Sequence, residues 1–472
     1  MPAARRPWGM AVLALLVLGP LFFGSYGLAT WAASQRAHVG VVVFDWERHI
    51  PLLPWTIIPY WSIDVLYGLS LFVCRSRAEL WTHVRRLLTV QAVAVTCFLL
   101  VPLRFSFERP ALDGVPGALF AVLTGFDKPF NQAPSLHIAL LVVLWAFYAR
   151  RWPCWARWPL HGWFALIGVS VLTTWQHHFV DVPTGALLGF ASLWAWPDAG
   201  PSPLACRIGG SPDVAGTSVS DRHAEDVARG GLRPETVIST DLGYSAPPGL
   251  RLVRCPRRRR LARRYALGAA ALAGLACFGG AALWLLWPAV SLGMVALAYA
   301  ATGERLFQKG VDGRLSLAAV GLLLPYLLAA RLNTRLWPGD GRPHAPLCDG
   351  VSVGRLPATV GGFGTVVDLC AELPGPVGPG GGYVAVPMLD LVPPPPLRLR
   401  EAARAVEAAR QHGTVLVCCA LGYSRSAAVA ATWLLATGRA ADVEAAVAQV
   451  ARARPHLVLD AAARASIAAA TA

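Results

Sequence analysis

The chain is 472 residues long, 55% hydrophobic and only 15% charged, with a formal net charge of +15. That composition excludes a disordered or collagen-like chain, and ten cysteines are too sparse for a disulfide scaffold. An ordinary soluble globule carries roughly 25% charged residues, so a mean hydropathy of +0.48 places much of this chain in lipid. The basic excess is almost all arginine, since Lys128 and Lys309 are the only lysines.

Apolar runs near the roughly 20 residues that cross a bilayer begin at once. They cover 10–33, 55–74, 87–103, 136–148, 161–175 and 179–196. The first follows Arg5 and Arg6 but is too long for a cleaved signal peptide and has no small-residue cleavage site, so a retained signal anchor is expected. Arginines favour the cytoplasmic side of short loops. Arg5 and Arg6, then Arg75, Arg77, Arg85 and Arg86, then Arg150, Arg151 and Arg157 fall on one side in a six-span reading. Residues 104–135 and the His177 region then share the extracytoplasmic face.

Residues 198–264 are rich in Gly, Ser, Pro, Asp and Arg and predict a cytoplasmic linker. Its end, 251–264, holds eight arginines and no acid, which points to inside topology and anionic-lipid contact. Nucleic-acid binding is the weaker reading, because aromatic interleaving is absent. Further membrane segments are expected at 265–287, 288–301 and 315–330, within a region 265–332. From 333 to 472 the texture becomes soluble α/β, with strands at 366–369, 383–386 and 414–418 and helices at 400–411 and 426–436.

The loops on the extracytoplasmic side hold Arg104, Arg109-Pro110, Lys128 and Pro134-Ser135-Leu136-His137; two spans later comes His177-His178-Phe179-Val180-Asp181. Ionisable groups at a membrane edge mark function by default. Phosphoryl transfer needs cations for the phosphate, a nucleophile, and an acid for the leaving group, and this set supplies all three. His177 and Asp181, four residues apart, are expected on one helix face, where the carboxylate fixes the imidazole tautomer. Asp64, inside the second span, either supports this site or bonds a neighbouring helix.

Pro-Ser-Leu-His followed two spans later by His-x-x-x-Asp resembles the PAP2 superfamily of membrane phosphatases, most closely its inositol-phosphotransferase-like branch. The resemblance covers about residues 1–200. It implies that His177 is the nucleophile that becomes phosphohistidine, Asp181 its orienter and His137 the acid. It also implies that Arg104 and Arg109 bind phosphate, with Lys128 and Ser135 assisting. Two positions depart from the family: Pro102 stands where it has Lys, and Val171 follows Ser170 where it has Arg.

The second motif is Cys419-x5-Arg425-Ser426, within Thr414–Ser426 of the sequence Thr-Val-Leu-Val-Cys-Cys-Ala-Leu-Gly-Tyr-Ser-Arg-Ser. It follows an apolar strand and opens an Ala-rich helix, the arrangement in which loop N–H groups converge on an anion and favour a thiolate. Gly422 permits the tight turn, Arg425 can grip two phosphate oxygens, and the Ser426 hydroxyl can assist departure of the thiolate. This is the signature of the cysteine-dependent dual-specificity phosphatases, which the chain resembles over about 345–460. Val353-Gly354-Arg355-Leu356-Pro357 resembles their opening strand and turn, and Val366-Val367-Asp368-Leu369 with Glu372 their second. The segment Val386-Pro387-Met388-Leu389-Asp390 resembles the one that carries their general acid, which implies that role for Asp390. Cys418 stands where the family has His.

The expected architecture is a polytopic α-helical membrane bundle, PAP2-like over 1–197, plus a C-terminal α/β cysteine-phosphatase domain over 333–472. The expected function is a multi-pass inner-membrane phosphoric monoester hydrolase with two catalytic units and no metal or cofactor. Its substrates would be a phospholipid or lipid phosphate and, at the cysteine, a lipid headgroup or a phosphoprotein. Adjacent cysteines need a reducing setting, which favours a cytoplasmic C-terminal domain. A headgroup transferase with a regulatory phosphatase tail, and a transporter or scaffold with a pseudophosphatase tail, stand as alternatives.

Overall fold

Helix ends in the N-terminal part are set by local chemistry that can be followed residue by residue in the computed structural model, which describes residues 6–198, 202–203, 255–337, 342–376 and 381–472. Arg5, most of the linker expected over 198–264, and Arg251 and Arg254 lie outside the described residues. The chain divides into two units, Met1–Ala205 with Ala269–Val290, and Cys206–Gly268 with Ser291–Ala472.

In the first unit the helices are α1 (Trp8–Ser34), α2 (Ile57–Val73), α3 (Arg77–Leu100), α4 (Gly114–Phe126), α5 (Leu136–Ala149), α6 (Cys154–Thr173) and α7 (Asp181–Ala195). α3 begins ten residues before the expected span. The Ser76 hydroxyl caps the Glu79 N–H, and the Glu79 carboxylate accepts from the Arg75 N–H just before the cap. Arg77, Arg85 and Arg86 therefore sit in a helix, not in the expected loop. Arg86 is buried and donates to the Trp196 carbonyl while pairing with Asp198. α4 was not expected at all; it lies inside the segment 104–135 that reads as a loop.

α7 packs closely along α5 because Gly185 and Gly189, one turn apart, face it. A Cβ at Gly185 would stand 2.5 Å from the Ser135 carbonyl oxygen, and one at Gly189 would stand 2.7 Å from the Val142 Cβ. Small residues at this spacing let two helix backbones approach, and here they bring the start of α7 to the start of α5.

The helix α8 (Pro256–Ala276) carries the arginine run, and α9 (Leu286–Leu297) and α10 (Leu317–Leu336) follow. The continuous span expected over 265–287 is broken: the chain turns at 277–279, where Gly279 and Gly280 take φ of 73° and 54°, which end a helix. Five described helical stretches are long and apolar enough to cross a membrane: Trp8–Ser34, Pro54–Val73, Arg77–Leu100, Gly280–Phe307 and Leu317–Leu336.

In the second unit, β1 (His344–Cys348), β2 (Val351–Arg355), β3 (Thr365–Cys370), β4 (Gly382–Met388) and β5 (Val415–Cys419) form one sheet in the order β1-β2-β5-β3-β4. Among the described strands only the β1–β2 pair is antiparallel. The helices α11 (Pro396–Arg410), α12 (Arg425–Ala436), α13 (Val443–Ala453) and α14 (Ala461–Thr471) supply the main core against it. Val353, Val367, Leu369, Val417, Leu399, Val406 and Trp433 are fully buried there, each worth roughly 1.5–3 kcal/mol of apolar transfer for the aliphatic ones.

A buried ion pair joins the loop before α10 to β3. Lys309 Nζ donates to Asp368 Oδ2 and to the Cys370 carbonyl, each at 2.6 Å, and the Tyr383 hydroxyl donates to the same Asp368 oxygen at 2.7 Å. The Gly375 N–H donates to the Gly313 carbonyl beside it. Replacing Lys309 by Met strands a buried carboxylate, and we expect a loss of about 3–5 kcal/mol in unfolding free energy. The double variant Lys309→Met with Asp368→Asn should recover part of that loss; an unchanged denaturation midpoint in the single variant would contradict the role.

Candidate functional site

In the first unit the end of α6 sets the histidines. The Gln176 and His177 N–H groups both donate to the Val171 carbonyl, folding the chain back after Thr173. His177 thus lies in a turn before α7, not on a helix face with Asp181 as the spacing suggests, because the helix starts only at Asp181. The pair forms across this junction: His177 Nδ1 lies 3.1 Å from Asp181 Oδ2. On the other side, His177 Nε2 lies 3.2 Å from Ser135 Oγ, the hydroxyl that caps α5. Asp181 Oδ2 also accepts the His178 N–H, and the Ser135 N–H donates to the Asp181 carbonyl.

His137 stacks on Tyr60 with ring centroids 4.1 Å apart, and among the described residues its buried Nε2 has no hydrogen-bond partner. It shares with His177 a cavity of about 60 Å³ that Tyr26, Tyr60, Asp64, Asp127 and Asn131 also line. Burial pushes the Asp127 carboxyl up, against the opposing pull of the Tyr26 hydroxyl bond and of His177 and Arg109. The expected phosphate cations are spread more widely. Arg109 lies over the Phe120 ring at 5.0 Å and acts electrostatically on Asp127. Lys128 donates to the Thr124 carbonyl and Arg104 is exposed; among the described residues no hydrogen bond or ion pair ties either to His177.

Sequence reasoning missed the partner of His178. Its Nδ1 lies 2.9 Å from Glu47 Oε2, and its Nε2 accepts from the Ser106 N–H at 3.1 Å. Burial alone would raise the Glu47 carboxyl, but the His178 bond and the N–H groups of Phe44 and Phe179 hold it below the usual range. This pair ties the loops before α2 and after α3 to the His177 turn.

In the second unit β5 ends at Cys419 and α12 begins at Arg425, so residues 420–424 wrap the thiol. The Gly422 N–H donates to Cys419 Sγ at 3.3 Å, and Ser426 Oγ lies 3.4 Å from the same sulfur. Gly422 has φ +78°, and a Cβ there would stand 2.5 Å from the Gly354 carbonyl carbon, so only glycine fits. Cys418 points to the other face of β5. Its thiol donates to the Val367 carbonyl at 3.6 Å, and burial pushes its pKa well up.

Arg425 is buried and its guanidinium is clamped. Nη1 donates to Glu372 Oε2 at 2.8 Å and to the Met388 carbonyl at 2.9 Å, while Nη2 donates to Glu372 Oε1 at 2.6 Å. A guanidinium has five N–H bonds, so Nε–H and the second Nη2–H stay available as a fork for two oxygens. Among the described residues Nε has no hydrogen-bond partner and pairs with Asp390 Oδ1 at 3.4 Å, which brings the expected acid to the same edge. Burial works against the Glu372 charge, but the Arg425 pairing outweighs it and holds the carboxyl below its ordinary value.

Solved structures similar to part of this chain include phosphatases. A mouse dual-specificity phosphatase complexed with zinc tungstate is 29% identical, with 27% of this chain and 86% of that one covered and a TM-score of 0.25. Human DUSP28 is 26% identical, covering 27% and 94%, with a TM-score of 0.24. PTPMT1 in complex with PI(5)P is 16% identical, covering 28% and 95%, with a TM-score of 0.25. No family model and no curated protein matches the chain.

Because the folded-state Glu372 carboxyl is depressed, its contribution to stability is complete above the unfolded value of roughly 4.3 and is lost as pH falls through the lower folded value. Glu372→Ala should therefore destabilise the second unit by about 3–5 kcal/mol near neutral pH, and the difference from the parent should shrink in acid. A pH series of denaturation curves checks both points.

Proposed function

We propose that the chain is a membrane-embedded phosphatase whose C-terminal unit hydrolyses phosphate monoesters through Cys419. The observation that carries this reading is the cradle: a sulfur that accepts the Gly422 N–H, beside the open edge of an Arg425 guanidinium fixed by Glu372. In the reaction the Cys419 thiolate attacks phosphorus, an S–P bond forms and the P–O bond to the leaving group breaks. Asp390 gives its proton to that oxygen, and the Arg425 fork holds two of the remaining phosphoryl oxygens. Water then attacks the phosphocysteine, Asp390 takes the water proton, and phosphate leaves as the thiolate re-forms. Ser426 Oγ, beside the sulfur, hydrogen-bonds the departing thiolate.

A second reading concerns the first unit, and the relay Asp181–His177–Ser135 with His137 in the same cavity favours it. His177 Nε2 attacks phosphorus, an N–P bond forms, and His137 protonates the leaving oxygen, as the PAP2 resemblance implies. The acceptor that cleaves the phosphohistidine is water or a headgroup hydroxyl. The chain is proposed to cross the inner membrane several times, with this site on the extracytoplasmic side and the cysteine cradle on the reducing, cytoplasmic side.

In a His177→Ala background, Cys419→Ser should abolish turnover of p-nitrophenyl phosphate, and Asp390→Asn should lower kcat by about 10²–10⁴-fold. Turnover that survives Cys419→Ser would sink the cysteine reading. In the converse background, Cys419→Ser with His177→Ala should lose all remaining lipid-phosphate hydrolysis or transfer.

A further inference from the structure

We infer that the phosphate monoester taken by the Cys419 cradle is carried by a membrane lipid, because an apolar helix packs against the cradle loop while its opposite face is bare. The inference rests on the cysteine-phosphatase reading. Ala420, the first residue of the cradle loop, packs in a cluster with Cys370 and Leu373, and Ala330 of α10 closes that cluster. α10 has the length and apolarity of a membrane helix. Ala319, Leu322, Leu323 and Leu327 are buried along one side of it, whereas Leu328, Leu332 and Leu336 are 59%, 55% and 70% exposed. Residues at this spacing of four form one stripe, so a single helix touches the cradle on one side and offers hydrocarbon on the other. An exposed apolar stripe of this kind is costly in water and satisfied in acyl chains.

The general-acid side of the site has the same neighbours. The Tyr299 hydroxyl, in the turn after α9, donates to the Asp390 carbonyl at 3.0 Å. Tyr299 stacks in parallel on Tyr265 of α8 at 5.6 Å, and Tyr326 of α10 meets Tyr265 edge-on at 6.2 Å. Arg258, on α8, donates to the Tyr299 carbonyl, and the same helix presents Arg259, Arg260, Arg263 and Arg264 around an open concavity. Amphipathic aromatic rings beside an apolar stripe, next to clustered arginines, match the layer where headgroup phosphates meet acyl chains. A phosphorylated side chain of a soluble protein would gain nothing from that surround, whereas a lipid keeps its chains in the bilayer while its phosphate enters the cradle.

The test uses the full-length His177→Ala protein in nanodiscs, so that only the cysteine site turns over. Three substrates are compared: phosphatidylinositol monophosphate as a minor component of phosphatidylcholine vesicles, its water-soluble dibutanoyl form, and a phosphotyrosine peptide. We expect kcat/KM on the vesicle lipid to exceed both others by about tenfold or more. Denaturing quench and peptide mass spectrometry should locate the phosphoryl group on Cys419. Leu332→Glu should lower the ratio of vesicle to dibutanoyl turnover about fivefold, and Leu332→Gln should lower it less, with p-nitrophenyl phosphate turnover reporting that each variant is folded. A phosphopeptide turned over as well as the vesicle lipid, or a dibutanoyl form turned over as well, would overturn the lipid assignment. If no substrate is turned over and no label reaches Cys419, the cysteine reading itself fails, and the lipid assignment falls with it.

Discussion

Asp368 is a carboxylate without solvent, and the second unit is organised around satisfying it. Its two oxygens take the Lys309 ammonium, the Tyr383 hydroxyl and the Cys370 N–H. Leaving any buried charge unpaired costs several kcal/mol, so the loop that carries Lys309 has to stay where it is. Lys309 lies just before the apolar stretch 317–336, and anchoring it fixes where that helix starts against the sheet. From that constraint follow the contact of Ala330 with the cradle cluster and the reach of Tyr299 to Asp390. Within the second unit, the sheet and the helix over 317–336 are held together by this buried pair.

The two candidate sites use different means to hold a nucleophile. In the first unit, the distance between helix backbones does it: Gly185 and Gly189 let α7 approach α5 until the cap of one helix meets the start of the next. In the second unit, a single loop closes on itself and needs little from elsewhere beyond Glu372 and the Gly354 backbone. The first arrangement is distributed over several helices, and the cations that a phosphate would want are not gathered at it. The second is compact, and its guanidinium is already aimed.

This contrast also explains what could be read in advance. The cysteine cradle is contiguous, so Cys419, Gly422, Arg425 and Ser426 carry their relation in their spacing, and the strand before and helix after them follow from apolar pattern. The start of α3 was not read: the arginines at 77–86 suggested a loop, whereas Ser76 caps a helix that begins among them. Glu372 was visible as part of a strand motif, but its grip on Arg425 was not, because 53 residues separate them. The Lys309–Asp368 and Glu47–His178 pairs are likewise tertiary, and no local pattern distinguishes these acids from solvated ones. The helix pattern over 265–287 was sound on each side of Gly279, and failed only where two glycines leave the helical region.

The alternation of β5 has one more consequence. Cys418 and Cys419 are neighbours in sequence, which suggests a redox couple, but successive side chains of a strand point to opposite faces. One sulfur faces the Val367 carbonyl and the other the cradle. As long as the strand holds its register, the neighbour cannot capture an oxidised Cys419 as a disulfide. The doubled cysteine is a packing residue followed by the proposed nucleophile, and the adjacent thiol offers that sulfur no protection from oxidation.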